Sequence, residues 1–211
     1  MESQISQFVV QHGYLGLALV VGLESMGIPL PGETVLIATS ILAGTTHSLN
    51  VWWIVVAATV GAIVGDNIGF WIGRRLGYGL VLRYGRVLHL TERRIKVGRY
   101  LFSRWGGWVV FLGRFVAVLR AWAALLAGIN HMRWWRFFLF NAAGCVMWAS
   151  IYGLAAYYLG TAVSDATRPI AIALGVVAVL AIGSGLLLFR HLEQSLGQHA
   201  EAAYPGPLVL K

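Results

Sequence analysis

The stretch ESMGIPLPGE, residues 24–33, decides how the first half of the chain is read. Pro29 and Pro31 lack backbone donors and disfavour helix at the residues before them. A helix arriving from the amino terminus therefore stops here, and Pro29, Pro31 and Gly32 form the expected tip of a hairpin. Glu33 then falls in the first turn of the returning helix, where its charge meets the positive dipole end. The other reading of these residues is a full span ending near Ile28.

What surrounds this stretch is strongly apolar. Of the 211 residues, 58% are hydrophobic and only 11% are charged, and the mean hydropathy is +0.73. These values lie far from those of soluble globular domains and predict an all-α polytopic membrane protein. Four ionisable residues are nevertheless embedded in apolar stretches: Glu24, Glu33, Arg114 and Arg120. A charge at membrane depth costs several kcal/mol, about 2.5–3.5 by insertion scales, so such residues usually pair or line a polar path.

The net charge of +8 does not point to nucleic acid. Nine of the sixteen basic residues fall within residues 74–104, opposed only by Glu92. A basic loop between apolar segments is the expected cytoplasmic face of a membrane protein and a contact for anionic lipid. The lone Cys145 allows no intrachain disulfide. No basic residue precedes the apolar run from Phe8, so a cleavable signal peptide is not expected.

Residues 51–72, 134–160 and 169–189 are long and apolar enough to cross a hydrocarbon core, which needs about 20 residues. Placing 74–104 in the cytoplasm puts the amino terminus outside and the carboxyl terminus inside. Arg133 and Arg136 mark the next cytoplasmic boundary, so residues 105–129 enter and leave on one side, as a second re-entrant hairpin. Its tip is placed near Arg120. The expected organisation is one membrane domain over residues 1–192, followed by a polar, disordered tail over 193–211. Within the domain, repeat 1 covers about 5–73, the basic loop and an amphipathic helix 74–104, repeat 2 about 105–160, and a last spanning helix 169–189.

The repeat rests on matching motifs. Ile41-Leu42-Ala43-Gly44 precedes Trp52-Trp53, and Leu125-Leu126-Ala127-Gly128 precedes Trp134-Trp135. The two copies run in opposite directions, and inverted repeats with broken helices characterise secondary transporters. Gly61, Gly65, Gly69 and Gly73 share one face of the first spanning segment, a pattern of close helix packing. Asp66 among them, roughly 12 Å from Arg74 along a helix axis, either bonds a neighbouring hairpin or belongs to a proton path.

Taken together, these residues resemble the DedA family, also called the VTT or SNARE-associated Golgi protein family. The first set is Glu24 with Pro29-Leu30-Pro31-Gly32-Glu33, then residues 65–74, GDNIGFWIGR. The second is Gly113-Arg114-Phe115 with Arg120, then Leu126-Ala127-Gly128, Met132, Phe138, Asn141, Gly144 and Trp148. The likeness covers about residues 8–160. It implies two opposed re-entrant hairpins and the movement of phospholipid-type carriers. In bacterial members it implies recycling of undecaprenyl phosphate driven by the proton gradient, and in eukaryotic relatives lipid scrambling. It also implies that Glu24, Glu33, Arg114 and Arg120 are needed for function. The chain departs from the family in having Val116-Ala117-Val118 and Ala121-Trp122-Ala123 where many relatives carry proline.

The chemistry points the same way. Arginine stays charged and binds phosphate oxygens in pairs, which makes Arg114 and Arg120 the candidate phosphate ligands. Glu24, Glu33 and Asp66 are the candidate proton-coupling and gating groups, holding the arginines until protonated. The expected partners are membrane lipids, a polyprenyl phosphate or phospholipid head group, and protons; a homo-oligomer is left open. No cofactor or metal is expected, because no Cys/His or HExxH cluster is present. An enzyme is not expected, since none of the six histidines has an acid at a useful local spacing. The competing readings are a proton-coupled cation or drug antiporter, a phospholipid scramblase, and a scaffold in which two Glu–Arg pairs only lock the hairpins.

Overall fold

The computed structural model describes residues 2–84, 102, 104–115 and 117–165. All regular structure among them is helical: α1 Glu2–Ser25, α2 Gly32–Thr46, α3 Val51–Tyr84, α4 Gly107–Gly113, α5 Ala117–Ile129 and α6 Trp134–Asp165. Two helices contain windows long and apolar enough to cross a membrane, Val51–Arg75 in α3 and Trp134–Ala162 in α6. At 1.5 Å per residue these measure roughly 37 and 43 Å, more than a hydrocarbon core of about 30 Å. They match the first two predicted spans. The third, 169–189, the polar tail and most of the basic loop lie outside the described residues.

The helices α2, α4 and α5 have 15, 7 and 13 residues, or roughly 22, 10 and 20 Å. None is long enough to span alone. The turn between α1 and α2 falls where the prolines place it, with Pro31 at the N-cap of α2 and Glu33 in its first turn. The second turn falls elsewhere than expected. The helix α4 ends at Gly113, Arg114 and Phe115 form the turn, and α5 begins at Ala117. Arg120 thus sits in the first turn of α5 rather than at the tip, so the predicted position was about six residues late. Without proline to mark the break, Gly113 ends the helix and the Phe115 N–H turns back to the Leu112 carbonyl at 3.1 Å.

Small residues set the packing. A methyl group on Gly61 would overlap the carbonyl oxygen of Ala18, and one on Gly65 that of Gly22. These two glycines let α1 lie against α3 backbone to backbone. Gly73 meets the Leu125 carbonyl, and Gly128 that of Phe70, which brings α5 onto the same helix. In the other half, Gly44 meets Tyr157 and Gly160 meets Ile41, joining α2 to α6. The short helix of each half therefore packs on the long helix of the other, and α3 touches α1, α2, α5 and α6.

The repeated motif also ends alike in both copies. His47 and His131, each three residues after the Gly of Leu-Ala-Gly, have φ of 53° and 52°. After α5 the His131 N–H bonds the Gly128 carbonyl and the Met132 N–H bonds that of Ala127, the left-handed stop common at helix ends.

The buried face of α3 carries Ile54, Ala58, Ala62, Asp66 and Phe70, while Val56, Val60, Val64, Ile68 and Trp71 are exposed. On α6, Leu139, Val146, Met147 and Ile151 are likewise exposed. Such a continuous apolar surface exceeds what a soluble monomer leaves bare. It suits hydrocarbon as solvent.

The glycine contacts are unequal, which gives a test. The nearest atoms to a methyl on Gly69 would be 3.7 Å away, ordinary contact distance. Gly69→Ala should keep or raise stability, by up to about 1 kcal/mol through helix propensity. Gly65→Ala should lower it by about 1–3 kcal/mol through overpacking. Thermal unfolding in one detergent compares them.

Candidate functional site

Five charged side chains from five helix ends and faces meet inside the bundle. Glu24 comes from the last turn of α1, Glu33 from the first turn of α2, and Asp66 from the middle of α3. Arg114 lies in the turn after α4, and Arg120 in the first turn of α5. The structure brings together every charged residue predicted for the site, but not as the two Glu–Arg pairs of the competing scaffold reading.

Arg120 takes both glutamates. Its Nη2 donates to Glu24 Oε1 at 2.6 Å and its Nη1 to Glu33 Oε2 at 2.8 Å. The guanidinium fork is divided between two acids rather than closed on one. The backbone N–H of Glu33, at the amino end of α2, also faces the Glu24 carboxylate. Gly32 is the reason the carboxylate fits, for a methyl there would run into Glu24 Oε2.

Arg114 turns away from the glutamates. Its Nη1 donates to Asp66 Oδ2 in a buried ion pair. The physical reason is the early turn. With Arg114 at the bend, its side chain reaches the mid-depth of α3, while Arg120, one and a half turns on, faces the first hairpin. Asp66 thus bonds the turn between α4 and α5. Cys145 Sγ lies 3.7 Å from the same carboxylate oxygen, and the Asn141 side chain is adjacent.

The two arginines differ in access. The side chains of Arg114 and Asp66 are 3% and 2% exposed, whereas Arg120, Glu24 and Glu33 are 12%, 18% and 33% exposed. The Arg120 cluster opens outward on its Glu33 side. The Arg114 pair is sealed, yet its Nε and Nη2 have no acceptor among the described residues.

Trp148 of α6, fully buried, links the two pairings. Its ring faces the Arg114 guanidinium at 5.2 Å and that of Arg120 at 5.3 Å. Desolvated cation–π contacts of this kind contribute about 2 kcal/mol. The sequence places Trp148 in a motif, but its position along an apolar helix assigns it no role. Pro29, Pro31 and Gly32 lie in or beside the turn between α1 and α2, next to Glu33.

The comparisons with known proteins agree with this frame. The VTT domain family model matches residues 30–158, more than half of the chain. The chain belongs to the DedA family of VTT-domain membrane proteins. It is 38% identical over 189 residues to an uncharacterized membrane protein of Mycobacterium tuberculosis, covering 88% of this chain and 87% of the relative. An uncharacterized membrane protein of Synechocystis is 36% identical over 160 residues, 76% of this chain and 73% of the relative. Protein DedA of Escherichia coli is 31% identical over 154 residues, 72% and 70%. No solved structure shows a significant match. In this family member the matched region contains Glu33, Asp66, Arg114, Arg120 and Trp148, while Glu24 lies just before it.

The sealed pair should stabilise the bundle. Asp66→Asn leaves Arg114 buried without its counter-charge and should lose about 3–5 kcal/mol, whereas the double change Asp66→Leu with Arg114→Met should recover most of it. Glu33→Gln, at the open edge, should cost far less. A double-mutant cycle by thermal unfolding reads all three.

Proposed function

We propose that this protein moves a lipid phosphate, an undecaprenyl phosphate-like carrier, across the cytoplasmic membrane in a proton-coupled manner. The observation that carries the reading is the divided fork of Arg120, whose two terminal nitrogens each hold one carboxylate. A phosphate accepts from both nitrogens of one guanidinium at once. One head group can therefore replace two acids, provided those acids can become neutral.

Charge counting supports the coupling. Glu24, Glu33 and Asp66 face Arg114 and Arg120, three carboxylates against two guanidiniums. One proton makes the cluster neutral. Protonation of the second glutamate frees Arg120 for a monoanionic phosphate, and the sum is neutral again. Arg114, with Nε and Nη2 unused among the described residues, is the second phosphate ligand, reached after Arg120. On this reading the α1–α2 and α4–α5 hairpins are re-entrant and bring the cluster near the membrane midplane. The amino terminus lies outside and the carboxyl terminus in the cytoplasm.

The test is reconstitution into liposomes with an enzyme-accessible polyprenyl phosphate, with and without a pH gradient. Arg120→Lys keeps the charge but not the fork and should slow transport about tenfold or more. An antiporter that uses the arginines only as counter-ions would be spared. Glu24→Gln and Glu33→Gln should transport with a flattened dependence on the gradient. Unchanged proton dependence in both variants sinks the proposal.

A further inference from the structure

Away from the charged cluster, on the outward side of α3, a groove of about 850 Å³ runs between α3 and the start of α6. Ile63, Val64, Ile68, Trp71 and Phe138 form its apolar wall, and Arg75 closes one end. Its lining is almost wholly apolar. Trp134 Nε1 donates to Asn67 Oδ1 at 3.0 Å, and Asn67 Nδ2 donates to the Ile63 carbonyl at 2.8 Å. The interior thus offers little polar surface to a sugar, peptide or nucleotide. It offers a wall for hydrocarbon.

The end is different. Arg74 and Arg75 are neighbours with separate tasks. Arg74 donates to the Met132 carbonyl at 2.9 Å and lies over the rings of Phe70 and Trp71, so it fastens the turn before α6. Arg75 is exposed and has no hydrogen-bond or ion-pair partner among the described residues. It lies just past the apolar run of residues 51–72, where the basic stretch 74–104 begins. From Ile63 to Arg75 the helix rises roughly 18 Å, close to half of a hydrocarbon core of about 30 Å. The groove therefore has about the depth of one leaflet, with the exposed Arg75 at the end where the basic stretch 74–104 begins.

We infer that this groove is a binding site for one anionic phospholipid, with an acyl chain along the apolar wall and the phosphate on Arg75. The inference does not rest on the transport reading, since no member of the charged cluster lines the groove. The ligand comes from the bilayer, not from free phosphate: Arg75 alone is a weak anion site, and the wall supplies the rest of the affinity.

Full-length protein is reconstituted into vesicles of equal parts phosphatidylglycerol and phosphatidylcholine and extracted in mild detergent. Native mass spectrometry then measures the lipid retained. The wild type should hold phosphatidylglycerol over phosphatidylcholine by about fivefold, as expected for one arginine near the head groups. Arg75→Gln should still hold lipid, with the preference gone. Val64→Trp and Ile68→Trp fill the wall at exposed positions and should lose retained lipid of both kinds, with thermal unfolding in lipid-free detergent unchanged. A preference that survives Arg75→Gln, full retention in both tryptophan variants, or displacement of the lipid by excess inorganic phosphate overturns the inference.

Discussion

In an apolar solvent every charge must find its counter-charge inside the protein, and that requirement organises this molecule. Asp66 and Arg114 are almost wholly buried, and an unpaired ion at such a place costs more than most single contacts return. The partners lie 48 residues apart in the chain, so packing has to bring them together. Glycine does so. Gly61 and Gly65 bring α1 against α3, and Gly73 with Gly128 brings α5 against it. Only at such separations do the short acids of α1 and α3 reach arginines carried by the second hairpin. Helix packing and charge pairing are one constraint expressed twice.

Much of this is visible in the residues. The two described spans follow from apolar length, the first turn from Pro29 and Pro31, and the glycine face from its four-residue spacing. The charged residues stand out because so few others interrupt the apolar stretches. The second turn was harder, because no proline marks it, yet a signal exists. The offset of 84 residues that sets Gly44 on Gly128 also sets Pro29, Leu30 and Pro31 on Gly113, Arg114 and Phe115. It sets His47 on His131 as well, and both adopt the same left-handed conformation. Aligning the whole repeat, rather than its Leu-Ala-Gly core alone, places the turn correctly.

Pairing was not legible in the same way. Which acid meets which arginine depends on the rotation of each helix about its axis, and a shift of one residue turns a side chain by about 100°. With the turn at Arg114 and Phe115, Arg114 meets Asp66 and Arg120 meets both glutamates. The role of Trp148 is not legible for a related reason. Its value lies in two guanidiniums from one hairpin converging on one indole, which spacing along α6 does not reveal.

That convergence separates the work of the two arginines on the proposed function. Arg114 is sealed with one acid, and removing that acid leaves a buried cation. Arg120 has two acids and an open edge, so losing either one still leaves it a partner. The Trp148 face remains beside Arg120 whichever anion it holds, which lowers the cost of the moment between partners. Electroneutrality then sets the stoichiometry. A cluster that is neutral with one proton at rest needs one more for each monoanionic phosphate it accepts, so one proton accompanies one lipid. On the proposed function the coupling would need no dedicated relay, since three carboxylates share two guanidiniums where an excess charge of either sign is costly.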